Sequence, residues 1–318
     1  MPVNSADIKF KRPVDISAGG AMADTVILTS TKNAVFPDVR SSERNAGSVL
    51  WRKVWIHFAT PDGSTAVDAK LVPFAPTPAG DFVTLHPATS RCDTLGDIEA
   101  TPTRAYGVGT VLTTISAGTS SLVVTVEDPA AFQVADTVLI TDKASPAAAT
   151  GSEEYATIAT VSGVGATRTI TLTAGTTNAY AAGARVASVY AYGDAVPGAI
   201  LLTKPTGAVV DASKITVTTR SSADDTWTIT FSSPVAYSLS GVRHGAQGSG
   251  EVTTNLQLSG LGISILAGAF GGVLAPGDVI TFRTDTAAIP VWLKRTVPAG
   301  TALFTNNTMT MMVDCESA

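Results

Sequence analysis

The chain has 318 residues, of which 45% are hydrophobic and 15% charged, with a formal net charge of −5. That length allows one large domain or two to three small ones, and a charged share well under the usual quarter or so is tolerable where neighbours cover the surface. An acidic total with no basic tract interleaved with aromatics speaks against a nucleic-acid partner, and two distant cysteines, Cys92 and Cys315, exclude a disulfide framework.

The first residues, MPVNSADIKFKRPVDIS, hold no apolar run and do not read as a secretory signal, so maturation in a reducing cytoplasm is expected. Residues 11–50 are poorly patterned. They hold one convincing strand, TVILT (25–29); the rest reads as an arm or loop, packed on a neighbouring subunit or on the chain's own surface. WRKVWIHFATPDGS (51–64) is clearer. On a strand over 51–59, Arg52, Val54, Ile56 and Phe58 form a core face, while Trp51, Lys53, Trp55 and His57 point the other way.

From 111 to 190 the texture changes to Thr, Ala and Val without tryptophan. Strands are expected at SLVVTV (121–126), DTVLIT (136–141), EYATIATV (154–161), TITLT (169–173) and RVASVY (185–190), separated by turn residues. Five short strands at regular spacing describe a small β-barrel or sandwich. The flanks AYGVGT (105–110) and YAYGDAVPG (190–198) resemble each other, as the two necks of an inserted domain do. The expected organisation is therefore 1–110 as an arm and the first part of a β-sandwich body, 111–190 as the insert, and 191–318 as the second part of the body.

Further along, KITVTTR (214–220) and TWTITFS (226–232) alternate with period two, and SSADD between them fits a hairpin loop. LGISILAGAFGGVLAPG (261–277) is uncharged but glycine-rich and closed by Pro-Gly, so it reads as a buried strand–loop–strand and no membrane element is expected. DVITFRT (278–284), AIPVWLKRTV (288–297) and TMTMMVD (308–314) complete an all-β chain. In 291–297, Trp292 and Lys294 share a face, in the same combination as Trp51 and Lys53.

No seed of catalysis stands out. His57, His86 and His244 are far apart and unpaired with acids in sequence, so zinc chemistry is not expected. A P-loop, a dinucleotide loop and a nucleophile elbow are all missing. Glu153–Glu154 and Asp224–Asp225 are adjacent acids that would face opposite ways on a strand, and they read as turn residues. The expectation is no enzyme, no cofactor and no metal. The distinctive residues are Trp51, Lys53, Trp55, His57, Trp292 and Lys294, a candidate subunit interface of the Trp-plus-cation type; a second sheet or the 11–50 arm of the same chain is the alternative cover.

ADIKFKRPVD (6–15), WRKVWIHFAT (51–60), RAYGVGTV (104–111) and PGDVITFRTDTAAIPVWLKRTVPAGTALFTNN (276–307) together resemble virion structural proteins of tailed bacteriophages, most nearly those of Mu-like siphophages with long non-contractile tails. The likeness covers both ends of the chain and skips the insert. It implies a β-rich, oligomeric, non-enzymatic part of the virion, in the tail or distal baseplate, assembled in the bacterial cytoplasm. The implied partners are copies of itself and other virion proteins. A capsid decoration protein is the runner-up; a host-surface or carbohydrate-binding module, with the insert as its reader, is the alternative from another class.

Overall fold

The computed structural model describes residues 3–28 and 31–317. It is 49% strand and 6% helix, and every named sheet pairs its strands antiparallel, as period-two alternation joined by short turns requires.

The sheet that carries both tryptophan segments has five strands in the order Gly19–Val26, Ile8–Asp15, Ser48–Phe58, Ala288–Val297 and Phe82–Pro87. Ser48–Phe58 and Ala288–Val297 are direct neighbours, with His57 opposite Ala288, Lys53 opposite Trp292 and Trp51 opposite Lys294. A second sheet, Tyr190–Ala195, Ala66–Ala75 and Thr310–Ser317, lies against it. Val54, Ile56, Phe58, Val291 and Leu293 from the first meet Ala69, Leu71 and Ala195 from the second in one apolar layer. This is a β-sandwich, and the face expected to be core in 51–59 is the core face.

The segment 11–50 differs from its expectation as an arm. Ile8–Asp15 and Gly19–Val26 form a hairpin at the sheet edge, and Ser41–Ala46 is a short helix. Ile8 and Phe10 do alternate with Lys9 and Lys11, but Gly19–Val26 is built of small residues with no apolar stripe, so its pairing comes from the turn at 16–18, where Asp15 Oδ1 accepts from Ser17 N and Ala18 N, and not from patterning. The strand there ends at Val26; Thr29, the last residue of the expected strand, lies outside the described residues.

The middle of the chain closes into a barrel, in the order Thr167–Leu172, Ser121–Val126, Val108–Val111, Arg185–Ser188, Thr137–Thr141 and Glu153–Ser162, with the last strand pairing back to the first. Leu122, Val124, Val138, Ile140, Ile158, Ile170 and Val186 fill it. The five expected strands are present, and the sixth, Val108–Val111, lies in what reads as a neck; it is too short and glycine-rich to show alternation.

Residues 191–318 divide between two sets of sheets. Only Tyr190–Ala195, Ala288–Val297 and Thr310–Ser317 join the sandwich. Between them Gly198–Thr203, Val279–Asp285, Asp225–Phe231, Ala236–Gly241 and Gly245–Glu251 make a separate five-stranded sheet. Its apolar face (Trp227, Ile229, Phe231, Leu239, Ile280 and Phe282) packs on Ile215, Ile263, Ile265 and Phe270, a core distinct from the sandwich's. The hairpin expected through SSADD does not form: Ile215–Val217 pairs with Ile263–Ile265, while Asp225–Phe231 pairs with Ala236–Gly241 and Val279–Asp285. The reason is in the linker itself, where Asp224 and Asp225 are buried and committed elsewhere.

Candidate functional site

The tryptophan face of the first sheet is covered by three pieces of the same chain. The first is the stretch from Ala88 to Ala100, which ends in the helix Leu95–Ala100; Ala88, Leu95 and Ile98 pack on Trp51 and Trp292. Asp93 is its anchor. Its Oδ2 accepts from Trp292 Nε1 at 3.1 Å, Thr89 N at 2.7 Å and Thr89 Oγ1 at 2.9 Å. Lys53 Nζ stands 2.6 Å from Asp93 Oδ1 as an ion pair, and also donates to the carbonyls of Arg91 (2.8 Å) and Asp93 (3.2 Å). Burial pulls the Lys53 ammonium below its ordinary pKa, against the pull of Asp93.

The second piece is the hairpin strand Gly19–Val26. Met22 packs on Trp55 and Ala288. Gly20 N donates to Asp93 O at 2.8 Å, and Leu95 N donates to Ala18 O at 2.8 Å. Gly19 has φ +89°, and a Cβ there would stand 2.7 Å from the Trp292 ring, so the approach is available to glycine alone.

The third piece comes from the 198–285 unit. His57 Nε2 meets Thr219 O at 2.9 Å, and Thr219 Oγ1 donates to Thr60 O at 3.0 Å. Burial, with Lys11 adding like charge, depresses the His57 pKa to about 4, so the ring is neutral at pH 7. Arg91 crosses the seam. It donates to Asp224 Oδ1 from Nη2 at 2.9 Å and to the carbonyls of Ala288 (2.9 Å) and Thr286 (3.0 Å), and its guanidinium carbon lies 5.1 Å from the Trp55 ring centroid. Burial raises the Asp224 carboxyl above its usual range although Arg91 opposes it.

Asp225, the first residue of its strand, makes a different set of contacts. It accepts from His244 Nδ1 at 2.8 Å and from the backbone N–H of Arg243 and His244, each at 3.1 Å. The His244 ring stacks on Trp227 at 5.6 Å, and Arg243 Nη2 reaches back to Met22 O at 3.0 Å. The pair read as turn residues thus anchors the seam through buried contacts. Nothing in the sequence separates this pair from Glu153–Glu154, where Glu154 is satisfied by Thr177 and Asn178 and not by a base.

The structure brings the six singled-out residues onto two paired strands. Trp51, Lys53, Trp55, His57 and Trp292 are buried, so the place expected for a neighbouring subunit is filled by this chain's own residues 18–22, 88–100 and 219–224. Lys294 stays half-buried at the rim, its Nζ 5.5 Å from the Trp51 ring centroid, and Trp51 meets His86 edge-on at 4.7 Å. Chemically this is a network of paired charges that clamps two sheets together, in which Trp55 Nε1 and His57 Nδ1 are buried without a hydrogen-bond partner among the described residues. Among the described residues no group of three His, Cys, Asp or Glu is placed to hold a metal ion, and no helix is long and apolar enough to cross a membrane.

No protein-family model, curated protein or solved structure matches this chain.

Proposed function

We propose that the chain is a non-enzymatic structural component of a tailed-phage virion, in the tail or distal tail and baseplate, assembling as symmetric copies with other virion proteins. One observation carries the reading. Three of the segments on which the resemblance rests, 6–15, 51–60 and 276–307, supply Ile8–Asp15, Ser48–Phe58 and Ala288–Val297, which are consecutive hydrogen-bonded neighbours in one sheet. The resemblance therefore has its centre in one sheet, although 276–307 also supplies Val279–Asp285 of the separate five-stranded sheet and the fourth segment, 104–111, supplies Val108–Val111 of the barrel. Lys53 of the first sheet is paired with Asp93 of the covering segment, and Arg91 of the same segment is paired with Asp224 of the 198–285 unit, which suits a stiff building block.

With the tryptophan face closed, contact between copies falls on other surfaces. The loop 298–309 presents Leu303 and Phe304, 73% and 48% exposed. Its base is anchored: Asn307 Nδ2 donates to Asp81 Oδ1 at 2.7 Å, and Gly300 N donates to Arg44 O at 2.7 Å. An apolar tip on a tethered loop is a surface that a second copy would cover.

Gold-labelled antibody against the chain, applied to phage particles from a lysate, tests the location. Tail or tail-tip labelling supports the reading; head labelling moves it to decoration, and particles without label overturn it. Light scattering on the purified chain and on Leu303→Ser/Phe304→Ser tests the contact, which predicts a lower assembly mass for the variant.

A further inference from the structure

Two clefts on the 198–285 unit meet at Thr218 and Arg220. The first, of about 360 Å³, is lined by Thr218, Arg220, Gln257, Ser259, Gly260 and Ser264 among others. The second, of about 400 Å³, continues from Thr218 and Arg220 towards Thr60, Asp62 and Pro197. Both stand at the low end of the sizes typical of small-ligand sites, ~300–1,000 Å³.

Arg220 is set apart from most arginines of the chain. Arg91, Arg104, Arg243 and Arg283 are engaged by carboxylates or carbonyls. Arg220 is exposed, and among the described residues it has no hydrogen-bond or ion-pair partner. Its guanidinium is a planar fork of donors suited to a carboxylate or phosphate. The first cleft carries no acid, and Arg220 is its one charged lining residue; the second holds the carboxylate Asp62. An anion is therefore favoured in the first.

The rest of that cleft is neutral and, apart from Leu261 and Ile263, lined by polar residues and glycines. Ser264 Oγ donates to Gln257 Oε1 at 2.6 Å, which fixes the amide plane and leaves its NH₂ group as the donor turned away from the bond. A Cβ on Gly260 would meet nothing within 4 Å, so the turn over Ser259 and Gly260 is open to a ligand. Hydroxyls and an amide that both donate and accept match the hydroxyls of a sugar ring. A polyanion such as nucleic acid would need a stripe of cations, and here there is one.

We propose that the first cleft binds the acidic unit of a saccharide, with Arg220 on its carboxylate or phosphate and Gln257, Ser259 and Thr218 on its ring hydroxyls. This goes beyond the assembly role, and it places recognition on the 198–285 unit and not on the barrel.

Isothermal titration of the full chain with trigalacturonate, glucose 1-phosphate, maltotriose and inorganic phosphate tests it. Saturable binding of at least one of the two acidic sugars is expected, with the pair distinguishing carboxylate from phosphate; removing the charge-assisted contact in Arg220→Gln should weaken it by about tenfold or more. Arg220→Lys should retain part of the affinity, and Arg168→Gln on the barrel should retain all of it. Among the described residues Arg220 has no hydrogen-bond or ion-pair partner, so unchanged melting of the variant is expected and confirms that it folds. Failure of both acidic sugars to bind, equal binding by Arg220→Gln, or equal binding of maltotriose overturns the proposal. Inorganic phosphate binding as tightly as glucose 1-phosphate overturns the saccharide assignment. Antibody labelling of particles is read separately, so either result stands without the other.

Discussion

Trp292 donates its indole N–H to the carboxylate of Asp93 at 3.1 Å, and both side chains are buried. The bond spans 199 positions of sequence and ties the cover to the strand beneath it. Lys53, opposite Trp292 in the sheet register, holds the other oxygen of the same carboxylate. One acid thus joins a strand from each end of the chain to the segment that covers both.

Removing one member leaves the other charged and unpaired in a dry site, so Lys53→Ala and Asp93→Ala should each cost about 3–5 kcal/mol. The double variant Lys53→Met/Asp93→Asn should cost much less than the two singles added, because no buried charge is left uncompensated. Urea unfolding followed by tryptophan fluorescence measures all three. Strict additivity would show that the pair does not act as a unit.

Trp55→Ala tests whether the cover belongs to this chain. The side chain is fully buried among Met22, Ala288, Arg91 and Lys53, so the change opens a cavity costing about 3–5 kcal/mol. The melting temperature should fall while the mass of the assembly at low temperature stays the same. Loss of assembly with an unaltered melt would mean that another subunit provides the cover.

His57 and Glu127 should give opposite acid responses. His57 is held near 4 in the fold against an ordinary 6.5. The unfolded chain then binds more protons between those values, so its contribution is complete above pH 6.5 and is lost as pH falls towards 4, by about 3 kcal/mol at 1.36 kcal/mol per unit. Lys11 and Asp24 are the charges that act on it, with opposite signs. Burial, with Asp81 adding like charge, raises Glu127 from 4.5 to about 7. Its contribution is present below 4.5 and lost as pH rises towards 7, the reverse direction. Urea midpoints between pH 7 and 4.5 should therefore be flatter in the wild type than in Glu127→Gln, where the acid loss from His57 is unmasked. A Glu127→Gln profile no steeper than the wild type would remove the basis for this opposition.

Much of the β architecture was legible because apolar side chains recur every second residue. Trp227, Ile229 and Phe231 identify a strand whatever it pairs with, and Leu122, Val124 and Val126 do the same in the barrel. Pairing partners were less legible. Ser48–Phe58 and Ala288–Val297 share a Trp-plus-Lys build, yet nothing local says that they lie side by side. Residues 19–24 read as arm or loop in the sequence because their role is to come close, which small residues do without leaving a hydrophobic pattern. The site residues were singled out by type, but their cover was not visible: Asp93 and Asp224 are ordinary loop acids in sequence and become anchors only when Lys53, Trp292 and Arg91 reach them. Arg220 carried no signal at all, since an unpartnered arginine is defined by what the fold leaves around it.

Gly19 and Gly20 separate two reasons for a glycine. Both have positive φ, +89° and +90°, so alanine at either should cost ~1–2 kcal/mol in backbone strain. The space around them differs. At Gly20 a Cβ would meet nothing within 4 Å, whereas at Gly19 it would stand 2.7 Å from the Trp292 ring and 2.8 Å from Asp93 O. Trp292 cannot retreat, because its N–H is held by Asp93 and its ring is packed against Ile98. Gly19→Ala should therefore add an overpacking cost of ~1–3 kcal/mol to the strain. Unfolding free energies of the two variants, measured side by side, should show Gly19→Ala the more damaging by at least that increment. The damage should also depend on Trp292: in a Trp292→Phe background, where the offending part of the indole is gone, the gap between the two glycine variants should shrink. A gap that persists unchanged would place the constraint in the backbone of the turn and not in the ring beneath it.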